Sequence, residues 1–295
     1  MSSPMNQPLV SIIIPSYNRA HCIAEAVDSV LRQTYPHREI IIVDDGSTDG
    51  TAQVLDQFRS TCTLLRSSTR TGPSAARNHG IAAATGEFIA FLDSDDLWLP
   101  KKLEVQMRFL TNNPDILVCQ TEEIWIRNGR RVNPMKKHKK YSGWIFEQCL
   151  PRCIVSPSSV ILHRSVFDNV GVFDETMPAC EDYDLWLRVA LRYHIHLIPR
   201  HLIIKRGGHA DQQSRTVPHL DRWRIYALGK LLNTAWLTPH QRAAALRELT
   251  KKCRIYANGC MKHGRPEEAA AYSKLPHQYA QPHLPEPSHE PCNIP

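Results

Sequence analysis

Phe88-Ile89-Ala90-Phe91-Leu92-Asp93-Ser94-Asp95-Asp96 is an apolar run that stops abruptly on three acids. Bounded by Gly86 on one side and carboxylates on the other, it has the pattern of a strand buried on both faces of a parallel sheet, with its charge at the carboxyl end. In open α/β sheets that end is where ligands sit. Carboxylates presented there suit a cation, and a hard divalent ion carrying a phosphate is the first candidate. A solvated strand-to-helix loop gives the same letters, so the remainder of the chain decides between the two.

The residues before this stretch repeat its logic. Val10-Ser11-Ile12-Ile13-Ile14 is a β-branched run, predicted to form a strand halted at Pro15, which cannot donate to a ladder. Ser16 to Arg19 form its loop. Ile23, Ala26, Val27, Val30 and Leu31 recur at helical spacing between Ala20 and Arg32, which predicts a crossover helix. Glu39 to Val43 is a second strand, ending on Asp44-Asp45-Gly46-Ser47-Thr48-Asp49-Gly50. Ser47 or Asp49 is the expected N-cap of a helix that buries Ala52, Leu55 and Phe58. Two successive strand-helix units imply a parallel sheet with right-handed crossovers. Thr63-Leu64-Leu65 is a short third strand, followed by the loop Thr71 to Ser74 and a small-residue helix from Ala75 to Ala84. Pro100 is expected to start a helix carrying Leu103, Met107 and Leu110. Tyr17, Asp45, Arg77, Asp93 and Asp95 are thereby predicted to meet at one rim, with Asp96 merely starting the next turn.

Beyond Pro114, strands are expected at Ile116–Cys119, Glu123–Ile126, Ser158–Leu162, Ile195–Pro199 and Leu202–Lys205. A short helix is expected near Trp144 to Leu150, and an amphipathic one after Cys180-Glu181-Asp182-Tyr183-Asp184 buries Leu185, Trp186, Val189 and Ala190. Asp221 to Tyr272 is helical in composition. The Pro, His, Glu and Ser-rich end has the composition of a disordered tail.

At 295 residues, 42% hydrophobic and 22% charged, the chain has ordinary globular composition with room for a substantial core. No apolar stretch is long enough to span a bilayer, and Met1 to Pro8 lacks signal-peptide character, so a cytoplasmic location is expected. Nine cysteines at irregular positions suit reduced thiols, and Cys149 and Cys153 have no second pair to complete a zinc site. The net charge of +7 admits nucleic acid, an anionic membrane surface or a phosphorylated substrate. It concentrates in Arg127, Arg130, Arg131, Lys136, Lys137, Lys139 and Lys140, for which a solvated loop is the first expectation and contact with anionic lipid or an anionic acceptor the second.

Pro15-Ser16-Tyr17-Asn18, Val43-Asp44-Asp45-Gly46-Ser47-Thr48-Asp49, Ala76-Arg77-Asn78-His79-Gly80, Asp93-Ser94-Asp95-Asp96 and Glu181-Asp182 stand in an order that resembles the family 2 inverting, metal-dependent nucleotide-sugar glycosyltransferases. The resemblance covers roughly residues 8 to 215. It implies an α/β fold of the GT-A type, a Rossmann-like mixed sheet flanked by helices. Residues 216–275 would be a helical C-terminal extension, and 276–295 the disordered tail.

The resemblance also implies roles. Pro15, Tyr17 and Asn18 would belong to the nucleotide-sugar site, with the Tyr17 ring against the nucleobase and Asp45 accepting a hydrogen bond from it. Arg77 would reach the diphosphate; a buried ion pair with a sheet acid is its alternative. Asp93-Ser94-Asp95 matches the family's DxD motif, so Asp93 would contact ribose, or the metal through water, and Asp95 would coordinate Mn²⁺ or Mg²⁺. His209 would add a metal or diphosphate contact, with Gln212 and Ser214 steadying its loop. Asp182 would be the catalytic base, or alternatively a helix cap, and Glu181 would orient the acceptor or the motif. Asp184, Trp98 and Trp186 are expected to be structural.

The resemblance therefore implies a polysaccharide-building enzyme that moves a hexose or N-acetylhexosamine, from a UDP-sugar by family habit, to a glycan or lipid-linked acceptor, with peripheral contact to the inner membrane face left open by the charge. A sugar nucleotidyltransferase would need a Gly-rich phosphate loop after the first strand, which Pro15-Ser16-Tyr17-Asn18 is not. A nucleic-acid-binding module lacks a supporting signature, and the acids at the sheet rim would repel phosphate. A catalytically dead scaffold is disfavoured because both acidic motifs are present.

Overall fold

The computed structural model describes residues 7–208, 219–234 and 236–280. Two compact units divide between Leu220 and Asp221. The first begins with β1 (Val10–Ser16), α1 (Ile23–Leu31), β2 (Arg38–Asp44), α2 (Thr51–Asp56), β3 (Thr63–Arg66), α3 (Pro73–Ala83) and β4 (Phe88–Phe91). It continues with β5 (Leu97–Trp98), α4 (Lys102–Asn112), β6 (Val118–Arg127), β7 (Arg130–Val132), α5 (Phe146–Cys149), β8 (Val160–His163), α6 (Ser165–Val170), α7 (Glu181–Arg192) and β9 (Ile195–Gly207).

The strands form one mixed sheet in the order β3-β2-β1-β4-β8-β6-β9-β5, with β7 paired to β6. The first half is parallel throughout, as two strand-helix units require. The sheet turns mixed where β8 inserts antiparallel between β4 and β6. On β1, Ile12 and Ile14 join the cluster packed under α1 and α4, built with Val27, Val30, Leu103 and Met107. Ile13 points to the other face, toward α3. Alternation with apolar residues on both sides is what a strand covered on two faces requires.

Four expectations need correction. β1 does not stop at Pro15; it runs through it, pairing Pro15 with Val43 and Ser16 with Asp44. The Leu92 N–H already donates to Ile13 O on the β4 side, and Pro15, two residues on, faces that same side beyond the end of β4, where no ladder donor is needed. The two strands expected between Ile195 and Lys205 are one strand, β9. Its pairing with β6 jumps from Thr121–Ile198 to Glu122–His201 and then to Glu123–Ile203, so Pro199 falls in a bulge, where a missing donor is tolerated. The two strands expected around Thr121 are likewise the single β6. Finally, the basic run is not a uniform loop, because Arg130–Val132 pairs with β6 and Lys140 is buried. The strand β5 and helix α6 were not expected; each is too short to show a period.

The second unit holds α8 (Leu220–Leu232), α9 (Pro239–Lys262) and α10 (Pro266–Ala280). α9 starts on a capping box, Thr238 with Gln241, and the Tyr256 and Tyr272 rings lie 4.5 Å apart between α9 and α10. α10 continues through Pro276 to Ala280, so the first residues assigned to the tail are helical. No helix among the described residues is long and apolar enough to cross a membrane.

Gly80 sets how closely α3 lies on the sheet, since a Cβ there would sit 2.4 Å from Ile13 Cγ2. Gly80→Ala is expected to lower stability by about 1–3 kcal/mol through overpacking, read as a shifted urea midpoint with an unchanged slope.

Candidate active site

Arg77 stands one turn before Gly80 on α3, and its guanidinium is almost fully buried. One arm donates to Glu181 Oε1 at 2.8 Å and the other to Asp93 Oδ1 at 2.8 Å. The alternative of a buried ion pair is therefore what forms, and it is made with two motifs at once. Burial opposes the charge on Arg77, but Asp93 and Glu181 overcome it and hold the guanidinium firmly cationic. Burial raises the Glu181 carboxyl, with Arg77 opposing and Asp182 adding to the rise. Phe173 lies 5.2 Å from the guanidinium carbon, closing the pair from water.

The three acids after β4 separate into different tasks. Asp93 is half-buried on Arg77. Asp96, expected only to start a turn, is 1% exposed, accepting the Ser158 hydroxyl at 2.7 Å and the Arg206 N–H at 2.9 Å. Burial, then Asp95, raises its carboxyl well above the usual range, with Lys205 opposing. It ties the acidic loop to β9. Asp95 is half-buried between them, its carbonyl accepting from the Arg206 side chain.

On the other side of Arg77 the loops after β1, β2 and β3 are bound together. Asn18, in the left-handed region at φ 51°, donates its N–H to Ser47 Oγ at 2.9 Å and accepts the Thr48 N–H at 2.8 Å. Asp45 is buried and accepts from the Thr71 N–H, the Thr71 hydroxyl and the Gly72 N–H at 2.6–2.8 Å. Asp44 and Asp49 serve the turn and helix start, accepting the N–H groups of Ser47 and Thr51. Gly46, at φ +71°, lies so close to the Thr69–Arg70 backbone that a Cβ would meet it at 2.7 Å. This approach brings Arg70 over the Tyr17 ring, 4.2 Å from its centroid.

Asp182 lies in the first turn of α7 and is not its cap; Cys180 precedes the helix with φ 62°. The Cys153 thiol donates to Asp182 Oδ2 at 3.3 Å, and the Tyr183 N–H to Oδ1 at 2.7 Å. Burial and then Asp182 push the thiol far up, so it stays a donor. Asp182 faces a cavity of about 220 Å³ floored by β6 and β9, with Trp125, Arg127, His138, Lys140 and Lys205 in its wall. Lys205 was not anticipated. Burial opposes its charge, but Glu123, Asp96, Asp93 and Asp182 together raise it, so one ammonium serves the acids of both motifs. Lys205 ends the strand expected at Leu202–Lys205, so the same carboxyl-end rule that selected Asp93 would have found it. The Cys153, Trp125 and Glu123–Lys140 contributions have no local signal, because each depends on β6, β9 and a distant loop meeting.

Trp98 and Trp186 are core residues, 3% and 1% exposed, and Asp184 pairs with Arg188 at 2.7 Å, as expected. His209, Gln212 and Ser214 lie outside the described residues. Among the described residues no group of three or more His, Cys, Asp or Glu is arranged to hold an ion. Mn²⁺ or Mg²⁺ that keeps its waters and takes oxygens from a diphosphate needs only one or two carboxylates. The half-buried Asp93 and Asp95, with hard oxygen donors at the sheet rim, fit such an ion.

The glycosyl transferase family 2 model matches residues 11–171. An Escherichia coli UDP-Glc:alpha-D-GlcNAc-diphosphoundecaprenol beta-1,3-glucosyltransferase is 37% identical over 186 residues, 63% of this chain and 71% of its own. An uncharacterized glycosyltransferase of Rickettsia typhi is 34% identical over 71% of this chain and 67% of its own. Other relatives are much longer; the match to one from Rickettsia bellii covers 38% of that protein. Staphylococcus aureus TarS 1-349, in complex with UDP-GlcNAc, has a TM-score of 0.74 at 22% identity over 92% of this chain and 81% of that one, which shows the same curled mixed sheet flanked by helices.

Arg77→Met leaves Glu181 buried without its counter-charge and is expected to lower stability by about 3–5 kcal/mol, measured by denaturant unfolding. A second expectation concerns Glu123. Burial raises its carboxyl, but Lys140 at 2.9 Å and Lys205 overcome this and hold it down to about 2. Lys140 itself is pushed down by burial despite Glu123, the desolvation cost of a buried bridge. In the unfolded chain Glu123 returns to about 4.3. Between these values the unfolded state binds more protons, so the Glu123 contribution is complete above about pH 4.3 and is lost as pH falls toward 2. Glu123→Gln is expected to flatten the stability-pH profile across that window, followed by urea midpoints at each pH.

Proposed function

The chain belongs to glycosyl transferase family 2, and from that premise we propose that it transfers a hexose or N-acetylhexosamine from a UDP-sugar to a hydroxyl of a glycan or lipid-linked acceptor, with inversion. The observation that carries this reading is the Arg77 bridge. It fixes Asp93, at the end of β4, against Glu181, which adjoins Asp182 at the start of α7. A donor held at the first and an acceptor held at the second are then neighbours.

Tyr17, with Arg70 on one face of its ring, offers the other to a nucleobase, and Pro15, Asn18 and Asp45 shape the loops around it. Asp93 faces the ribose side. Asp95 with Asp93 would hold Mn²⁺ or Mg²⁺, which would supply neutralisation of the charge on the departing diphosphate. The acceptor oxygen forms its bond to the anomeric carbon as the bond to the diphosphate breaks on the opposite face. The hydroxyl proton passes to Asp182, and the bonding pair leaves with UDP, so the configuration inverts. A carboxylate is a weak base, so Asp182 depends on position, which the Cys153 thiol and the Tyr183 N–H provide. Glu181, neutralising Arg77, holds the motif rather than touching substrate. UDP is favoured because the E. coli relative uses UDP-Glc and TarS holds UDP-GlcNAc. A lipid-linked acceptor would bring the protein to the inner membrane face without crossing the bilayer.

Thermal-shift titration with UDP-, GDP- and dTDP-sugars plus Mn²⁺ is expected to single out UDP-sugars; a folded protein stabilised by none of them overturns the reading. Asp182→Asn should keep donor affinity and lower transfer about 10²–10⁴-fold, and unimpaired transfer would remove Asp182 as the base.

A further inference from the structure

Residues 127–140 hold seven Lys or Arg and no Asp or Glu, and the transfer reaction does not by itself explain them. Lys140 is buried on Glu123 at 2.9 Å. Arg127, Arg130, Arg131, Lys136, Lys137 and Lys139 are exposed, and none of them meets a carboxylate within ion-pair distance among the described residues.

The chain holds these cations on a fixed frame. Asn128 and Gly129, at φ 49° and 73°, make the tight turn that joins β6 to β7, and the Asn128 N–H donates to Gly207 O at 3.3 Å. Arg127 and Arg130 flank this turn as direct cross-strand partners, with Arg131 opposite Ile126. Like charges placed opposite one another weaken a hairpin. Charge on an edge strand guards against strand addition, but Lys136, Lys137 and Lys139 lie past the end of β7, in and after the 3-10 turn Lys136–His138, where there is no edge to guard. The turn folds back toward the hairpin, so that burial and then Arg152, Lys137 and Arg127 push the His138 imidazole down. Hairpin and turn thus share one positive field. Between them stands Met135, 56% exposed.

We propose that residues 127–139 are the surface by which this protein docks on an anionic phospholipid bilayer, the six cations lying among the headgroups and the Met135 side chain entering the acyl boundary. An anionic leaflet attracts every Lys and Arg brought near it, so an acid-free patch gains with each charge it carries. A nucleic-acid groove instead pairs its cations with aromatic faces left free for bases. Here the neighbouring rings are already engaged, Trp125 by His138, Arg127 and Lys205 and Tyr141 by Lys139 at 5.2 Å. The exposed apolar group is a flexible thioether, which does not stack on a base but sinks into a bilayer interface. Docking would also turn the cavity that Asp182 faces toward the membrane, because Arg127 and His138 belong to its wall. The proposal rests on the charge and exposure of the segment and not on the transfer reading, to which it adds a membrane-facing side.

The test sediments the full chain with vesicles of phosphatidylcholine alone and of phosphatidylcholine mixed with phosphatidylglycerol, free of glycolipid and nucleotide, at rising salt. Binding is expected only to the anionic vesicles and should weaken as salt is added. Replacing Arg130, Arg131, Lys136 and Lys137 by Gln, all outside the cavity wall, should lower the partition coefficient by about 10²-fold or more. Replacing the exposed Arg32, Lys101, Arg247 and Arg254 by Gln removes the same net charge and should change it less than about threefold if the patch, rather than the whole protein's charge, binds. Met135→Ser should weaken binding about tenfold at every salt concentration, since insertion of an apolar group is not screened. Urea midpoints near that of the unmodified chain keep the comparison between folded proteins. Equal binding to the two kinds of vesicle, binding to neither, equal losses in the two fourfold variants, or tighter binding of a single-stranded RNA that the first variant abolishes overturns the proposal. An unchanged affinity in Met135→Ser overturns the insertion. No donor or acceptor is present, so failure here leaves the transfer reading to its own tests.

Discussion

The guanidinium of Arg77 is buried between two carboxylates that come from parts of the chain far apart in sequence, Asp93 and Glu181. Removing a charge from water is costly unless geometry returns the loss, so this bridge constrains everything attached to it. α3 must lie low enough on β1 to bring Arg77 to the rim, which the absence of a side chain at Gly80 permits. β4 must end where Asp93 can turn toward it, and α7 must begin where Glu181 can. Asp182 then has no freedom to lie elsewhere than beside the acids of the sheet.

A second constraint is charge balance. Asp93, Asp95, Asp96, Glu123 and Asp182 would repel one another and any diphosphate if left uncompensated. Arg77 and Lys205 answer this from opposite sides, and the Arg206 N–H and side chain fasten the loop. The one carboxyl placed deepest, Asp96, is pushed upward and serves as an anchor, while the half-buried Asp93 and Asp95 face the rim. Burial separates the anchored Asp96 from its two half-buried neighbours, although all three are aspartates.

The mixed half of the sheet does the complementary work. By running β6 and β9 side by side through a bulge, it forms a floor for the cavity that Asp182 faces and brings the acid-free basic segment to its edge. The first half of the sheet thus holds the groups that resemble a nucleotide site, and the second half holds an aromatic and cationic surface of different chemistry.

The alternating and buried runs of the first hundred residues determine their own strands and helices, because hydrophobic period is a local property. β1 to β4, α1 to α4 and the rim position of Tyr17, Asp45, Arg77 and Asp93 were legible for that reason. The acidic motifs and their order carried the family. Pro15 and Pro199 misled, since a missing N–H matters only where a neighbour would have accepted it, and that neighbour is set by pairing. What Arg77 binds, which of three aspartates is buried and where Lys205 points were decided only in three dimensions. Each depends on a desolvated contact between segments separated by many residues, and no local pattern records the partner.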